Sequence, residues 1–389
     1  MVNGRKATYA PYILGPIPRF EQKNTAFCRA TWDKEIMDKK KMQDTILQAK
    51  MAKGVSGFSQ LDLAFQASSW YVEHTSSRSA SFSGDFGLLS WESQDPANTR
   101  LFEMKVEFEP REASGRVKYA AKFFGADLVG ITKLNRTWLY STIYDRKTGT
   151  STDLDTLISD DYKYAVVMAV EMDYDALKAS PTALAGAAIG TGYSYMPVVA
   201  AMLAEYIRCL GYKAIPMGND TALSIPIAVD AGLGELGRNG LLITPEFGPR
   251  IRLCKVVTDM PLEPDEPVDF GVQEFCEVCK KCARSCPSKA ITEGDRVEWR
   301  DELSNNRGLL KWAVDPKKCY LFWLANGMDC SNCISSCPFN KPNTPVHSLA
   351  RWSIKNLPSL DSFLIWVDDA LGYGKRSDPS ELWNRVLKE

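Results

Sequence analysis

Apolar side chains at Met196, Val199, Ala200, Leu203, Ile207 and Leu210 recur at three- and four-residue intervals, and Gly211 follows them. That period marks one face of a helix, and the glycine marks its stop. The pattern predicts a helix over 193–210. Residues 114–124, ending before Gly125, read as a second helix, and residues 34–53, closed by Gly54, as a third. Short runs rich in β-branched and apolar residues predict strands over 126–132, 162–172, 212–216 and 250–258. Helices alternating with strands place an α+β or α/β core over 114–262. Residues 1–113 are irregular around turn clusters at 15–18 and 76–83. A Pro/acid stretch over 261–267 is the best boundary, a cysteine-rich module follows to 342, and the Trp-bearing tail 343–389 is expected to pack back on the body.

Composition narrows the class. The 47 basic and 48 acidic side chains leave a formal charge of -1, against a generic nucleic-acid binder. No apolar run approaches the roughly 20 residues of a membrane span; the longest, 164–172 and 183–189, fall short. No charged-then-apolar leader or Arg-Arg pair opens the sequence, which leaves a cytoplasmic protein or a mature form whose leader has been removed. With His74 and His347 as the only histidines, a multi-histidine metal site is excluded.

Eight of the eleven cysteines lie between Cys276 and Cys337. They form two runs, Cys276-x2-Cys279-x2-Cys282-x3-Cys286-Pro287 and Cys319-x10-Cys330-x2-Cys333-x3-Cys337-Pro338. Short x2 spacings let one loop set three thiolates around an iron-sulfur cube, while the cysteine before proline starts a helix pointing away and serves the other cube. One 4Fe-4S cluster then takes Cys276, Cys279, Cys282 and Cys337, the other Cys330, Cys333, Cys319 and Cys286. Zinc sites favour paired x2 spacings without the x3-Cys-Pro ending, and a disulfide scaffold would spread its cysteines along a shorter chain. Cys28, Cys209 and Cys254 read as core residues. Gly232-Leu-Gly234-Glu-Leu-Gly237 spells a dinucleotide fingerprint but follows no long strand, so close backbone approach to a flat or phosphate-bearing cofactor is the better reading.

The stretches Phe124-Gly-Ala-Asp-Leu-Val-Gly-Ile131, Gly218-Asn-Asp-Thr-Ala-Leu-Ser-Ile-Pro226, Asp230-Ala-Gly-Leu-Gly-Glu-Leu-Gly-Arg238 and Ile243-Thr-Pro-Glu-Phe-Gly-Pro-Arg250, with the cysteine module in the same order, resemble the respiratory reductive dehalogenases. The likeness is closest to chloroalkane-reducing members, and Pro18-Arg-Phe-Glu-Gln-Lys-Asn-Thr25 is similar to the start of their mature chains. The resemblance implies a nitroreductase-like corrinoid-binding core followed by a ferredoxin-like module. It implies a cobalamin-type, base-off corrinoid and two 4Fe-4S clusters, with electrons passing through the clusters to Co(I), which cleaves a carbon-halogen bond of a small halogenated hydrocarbon. It implies partners too: a small integral-membrane anchor protein and an electron donor of the respiratory chain, outside the cytoplasmic membrane after export by a twin-arginine leader, with no nucleic acid involved. The absence of an Asp-x-His-x-x-Gly motif agrees with a cobalt lacking a protein imidazole, leaving His74 and His347 as structural or surface residues.

The family's catalytic Tyr, Asn and Arg fall on Tyr193, Asn219 and Arg252. A phenol can protonate a carbanion-like centre, a guanidinium favours the phenolate left behind, and an amide can orient the phenol. Each residue also has an ordinary reading: a packing aromatic at a helix start, a turn residue, and the partner of a carboxylate. Tyr195 and Arg250 are the neighbouring alternatives. Phe27, Trp32, Trp70 and Trp323 are expected as walls of an apolar substrate pocket. Two other functions fit parts of the sequence: an epoxyqueuosine reductase-like enzyme acting on tRNA, and an electron-transfer protein without a substrate site.

Overall fold

The structure, a computed structural model, describes residues 6–77, 87–95, 102, 104–298, 301–342 and 344–386; the part of the turn cluster from 78 to 83 lies outside them. The first hundred residues are more helical than their pattern suggests. The helix expected over 34–53 is two, α1 (Lys34–Lys41) and α2 (Gln43–Ala52), broken at Met42. Three consecutive lysines end α1, where cations suit the carbonyl end of a helix. Beyond the break, Lys50 Nζ donates to the Asn326 carbonyl (2.7 Å) and Gln43 Nε2 to the Gly327 carbonyl (3.3 Å). Two further helices follow, α3 (Gln60–Ser69) and α4 (Tyr71–Ser76). A reciprocal cap starts α3: Ser59 Oγ accepts from Asp62 N–H, and the Asp62 carboxylate accepts from Ser59 N–H (2.9 Å).

The core begins with α5 (Pro110–Phe123), four residues before its expected start, because Pro110 suits a first helical turn. Its sheet consists of β1 (Leu128–Lys133), β2 (Tyr164–Glu171), β3 (Ala214–Met217) and β4 (Ile251–Thr258), in the spatial order β1-β2-β4-β3. Every pairing is antiparallel, so the core is α+β. Both faces are covered. Val166, Met168 and Val170 of β2 meet α5 and the long helix α6 (Ala183–Cys209), while Ala165, Val167 and Ala169 face Leu139, Ile227 and Val229. Burial on both sides gives β2 its unbroken apolar run.

Helix α6 is the main departure from expectation. It has 27 residues rather than 18, and starts ten residues before Tyr193. By length and composition it could cross a bilayer, but 67% of its apolar stretch is buried inside the protein, which makes it the central core helix.

The cysteine module contains α7 (Val272–Cys279) and α8 (Pro316–Asn326), with short helices at Lys281–Arg284 and Asn332–Ser335. Contrary to expectation, Cys286 and Cys337 do not start helices; each follows a short helix and leads into a turn. The tail forms α9 (Pro345–Asn356) and α10 (Asp361–Ala370). Ile354, Leu364 and Ile365 of the tail pack into the apolar group around Phe275, and Trp383 Nε1 donates to Asp62 (2.8 Å). Trp352 and Trp366 instead point outward, 55% and 64% exposed.

Candidate active site and cluster sites

Tyr193 lies in the middle of α6, not at a helix start. Its ring stacks on Trp70 at 5.0 Å between centroids, and the Arg252 guanidinium lies 4.7 Å over it. Asn219 Nδ2 donates to the Tyr193 hydroxyl at 2.9 Å. The structure thus brings together Tyr193, Asn219 and Arg252 from three elements, with Trp70 behind the ring. Arg252 arrives from the start of β4, opposite Val170. Gly192 makes room for it: a Cβ there would come within 2.7 Å of Arg252 Cγ. Arg252 Nε is buried and has no hydrogen-bond partner among the described residues. Burial pushes the Tyr193 phenol up, and Arg252 is the main influence pulling it back down.

The loop that carries Asn219 is held on several sides. Asp220 Oδ1 accepts from Gly218 N–H (2.8 Å), Thr221 Oγ1 donates to Asp220 Oδ2 (3.0 Å), and the Tyr140 hydroxyl donates to the Asn219 carbonyl (3.3 Å). Lys255, fully buried on β4, donates from Nζ to the Gly218 carbonyl (2.5 Å). Thr221 takes φ 71°, a left-handed conformation that costs energy for a β-branched residue and persists because its surroundings fix it. Asn219 itself is exposed, so a tightly held backbone presents a free amide face.

Three ionisable groups near this site were not legible in the sequence, since only burial distinguishes them. Glu73 of α4 donates its backbone N–H to Ser194 Oγ (3.2 Å), next to Tyr193, and burial raises its carboxyl to about 7. Burial raises Asp329 to about 6 against the opposing pull of Arg252. Burial lowers Lys255 to about 8.

The alternatives have other surroundings. Arg250 pairs with Glu171 (2.5 Å) and donates to Asn340 Oδ1 (3.1 Å) and the Lys341 carbonyl (3.0 Å), joining core to module. Tyr195 is 55% exposed. His74 stacks on Trp70, and His347 is bound to Thr344, Pro342 and Tyr373. Among the four expected pocket walls, Phe27 and Trp323 meet in one aromatic group with Tyr320, and Trp70 belongs to the Tyr193 stack. Trp32 is apart from both groups: its Nε1 donates to the Lys23 carbonyl (2.9 Å), and Arg29 covers its ring.

The eight cysteines fall into two sets. Cys276, Cys279, Cys282 and Cys337 line one enclosed cavity with Phe275 and Phe339. Cys286 groups with Cys319 and Cys333, with Cys282 of the first set packed alongside, and Cys330 is an electrostatic neighbour of Cys286 and Cys319. Among the described residues, no three ligand-type side chains converge as one metal ion would require. Thiols spaced around a cavity fit a multi-atom cluster instead. Burial raises the Cys279 thiol to about 11 and the Cys319 thiol to about 12. The two runs meet where Ser285 Oγ and Ser336 Oγ, each just before the Cys-Pro pair, lie 2.7 Å apart. Cys333 shares an apolar group with Trp70 and Tyr193, so its set is the one beside the tyrosine. Cys28 and Cys254 are buried, and Cys209 is half-buried at the end of α6.

An antiparallel α+β core with a charged tyrosine site, next to two sets of four thiols, defines a double-cluster redox protein. Residues 116–262 match the family of the reductive dehalogenase subunit, and residues 275–340 match the 4Fe-4S double cluster binding domain. The tetrachloroethene reductive dehalogenase of Sulfurospirillum multivorans is 38% identical over 327 residues, 76% of this chain and 65% of that protein. That of Desulfitobacterium hafniense is 40% identical over 333 residues, 76% of this chain and 60% of its own length. The solved catabolic reductive dehalogenase NpRdhA has the same fold, with a TM-score of 0.70 at 24% identity over 96% of this chain and 50% of that one. This chain belongs to the reductive dehalogenase family. It spans 60–65% of the length of these curated relatives.

Proposed function

We propose that the chain removes halide from small halogenated hydrocarbons, R–Cl + 2 e⁻ + H⁺ → R–H + Cl⁻, using a corrinoid and two 4Fe-4S clusters. The observation that carries this reading is the Tyr193 stack, with Asn219 on its hydroxyl and Arg252 on its ring, in one apolar group with Cys333. A proton source thus lies next to a source of single electrons, and the reaction needs both.

The corrinoid is a property of the family; a solved relative is described as performing B12-dependent dehalogenation. Two features of this chain fit the group. Both histidines have other contacts, in keeping with a cobalt that takes no protein imidazole. Arg252 Nε is buried beside the stack without a partner among the described residues, as expected of a donor lining an occupied site. The residue of loop 218–221 that would meet the corrinoid is the exposed Asn219. When bound, the corrinoid supplies a reduced cobalt able to break the carbon-halogen bond, and the eight cysteines would hold the clusters that deliver electrons one at a time.

The chain's own residues manage the proton. Tyr193 holds it on Oη, where burial resists its loss to solvent. Asn219 donates to that oxygen and fixes its direction. Once the proton has gone to carbon, the charge on oxygen is stabilised by Arg252, whose guanidinium is permanently charged. The substrate offers almost no hydrogen bonds, so selection falls to aromatic walls such as Phe27, Trp323 and Trp70. The relatives named for tetrachloroethene support chloroethenes alongside chloroalkanes as candidates.

The proposal extends to the partners. Electrons come from a respiratory donor and enter at the Cys276 set, which lies outside the apolar group of Tyr193. The chain works outside the cytoplasmic membrane, held by a small integral-membrane anchor protein. Supporting this is the exposed apolar surface of Leu349, Trp352, Phe363 and Trp366 on α9 and α10, elements that pack against that set.

The test is Tyr193→Phe, which keeps the ring and removes the acidic hydroxyl. Halide release should fall by at least about 10²-fold, with iron and corrinoid contents unchanged. Halide release near the wild-type rate would move the donor role to Tyr195 or to water.

A further inference from the structure

The glycine-rich stretch that resembles a dinucleotide loop has a different place in the fold. Glu235–Leu236 and Leu242–Ile243 pair as a short antiparallel ribbon, and residues 237–241 form its tip. Gly234 lets the two strands close: a Cβ there would come within 2.0 Å of the Ile243 carbonyl oxygen. The ribbon belongs to the core, but its tip enters the cysteine module. Asn239 Nδ2 faces the Cys333 carbonyl at 3.4 Å, beside one thiol set. Arg238 faces the other set and lines its cavity with Cys276, Cys279, Cys282 and Cys337.

Arg238 is 1% exposed. Its Nε donates to the Cys276 carbonyl (2.9 Å), and Nη1 donates to the carbonyls of Thr292 (3.0 Å) and Gly294 (2.8 Å). The guanidinium lies 4.7 Å over the Trp312 ring, with Arg296 also over that ring at 3.8 Å. The one carboxylate in ion-pair range among the described residues, Glu277, is 4.0 Å away, 45% exposed, and also pairs with Arg296. A buried cation costs several kcal/mol unless a charge balances it. Neutral carbonyls satisfy its hydrogen bonds without doing so. The anionic partner the geometry leaves for Arg238 is the content of the cavity.

We propose that Arg238 is the buried counter-charge of the cluster held by Cys276, Cys279, Cys282 and Cys337, and raises that cluster's reduction potential so that an external donor can reduce it. Reduction adds one electron to an anionic cube, and a fixed cation alongside favours the reduced form over the oxidised one. Arg238 is therefore a positioning residue for electrons, carried into the module by the core, and the ribbon tip touches both thiol sets. The inference rests on reading the four thiols as ligands of one 4Fe-4S cluster.

The experiment is a spectroscopically monitored redox titration of the anaerobically reconstituted full chain, with iron and sulfide measured on the same samples. Arg238→Gln removes the charge; Arg238→Lys keeps it but loses the planar fork. In Arg238→Gln one cluster should become at least tenfold harder to reduce, 59 mV for one electron, while the other is unmoved. Arg238→Lys should stay within half that shift. If Arg238→Gln loses iron, Arg238→Lys decides: near-wild-type potentials support the proposal. Unchanged potentials in an iron-replete Arg238→Gln overturn it, as does an Arg238→Lys that shifts as far or loses its iron. A wild-type protein with about four irons, or with zinc, would instead refute the double-cluster reading.

Discussion

A missing methyl group decides the geometry around Tyr193. Gly192 precedes the tyrosine on α6, and a Cβ at this position would come within 2.7 Å of Arg252 Cγ. Neither backbone can yield easily, because Arg252 is paired with Val170 in the sheet and Gly192 lies inside a buried helix. Gly192→Ala should therefore displace the guanidinium from the Tyr193 ring. Alanine is otherwise the better helix residue by about 1 kcal/mol, so the fold has no propensity reason to object. We expect halide release to fall at least about tenfold, the effect of losing roughly 1.4 kcal/mol of transition-state stabilisation, with iron content and the unfolding midpoint close to wild type. A fully active Gly192→Ala enzyme would show that Arg252 is not required over the ring.

At the scale of elements, one buried carboxylate takes part in the contact between core and module. Glu235 is completely buried; its Oε1 accepts the backbone N–H groups of Phe270 (2.7 Å) and Val272 (3.2 Å), which lead into α7, and its Oε2 has no partner among the described residues. Burial raises this carboxyl to about 7 from an ordinary 4.5. The folded state then holds a proton that the unfolded state releases, so stability should fall as pH rises from about 4.5 to 7 and level off beyond. Glu73, also raised to about 7, acts in the same window. Glu235→Gln keeps the acceptor and removes the titration, so its urea midpoint should depend less on pH between 5 and 8 and exceed wild type at pH 8. An unchanged slope would mean that Glu235 is ionised in the fold. None of this was legible in the sequence, where Glu235 sits inside a misleading glycine motif. The second half of α6 was legible because apolar and polar faces alternate from Met196 onward. Its first half, Ala183 to Gly192, is buried on nearly every side and has no period to read. Helix α3 did leave a signal, Ser59 and Asp62 at capping-box spacing. The eight cysteines were legible because ligand spacing is a local property. Tyr193, Asn219 and Arg252 were not, because a helix, a loop and a strand bring them together; only the family resemblance singled them out.

Across the whole molecule, charge and apolar surface suggest a direction for electrons. Cys333 shares the apolar group of Tyr193, while Cys276, Cys279 and Cys337 share theirs with residues of α9 and α10. Those helices turn Leu349, Trp352, Phe363 and Trp366 outward, and the last two stack at 5.9 Å. Scattered apolar residues on a surface need no explanation, but exposed aromatics stacked on one another are a candidate interaction site. Beneath it, Lys281 and Lys341 share the buried Asp368 (2.5 and 2.8 Å), which fixes α10 beside Cys279 and Cys337. If this surface meets the membrane anchor and the donor, Trp352→Ser with Trp366→Ser should leave halide release unchanged when a small artificial reductant feeds the clusters. The same variant should lose retention on membranes carrying the anchor, and donor-driven turnover should fall with it. The two assays separate docking from chemistry, because the substitutions lie outside both thiol sets and the Tyr193 stack. Wild-type retention together with wild-type donor-driven turnover would place the docking surface elsewhere, whereas loss of activity with the artificial reductant would show that these tryptophans support the module itself.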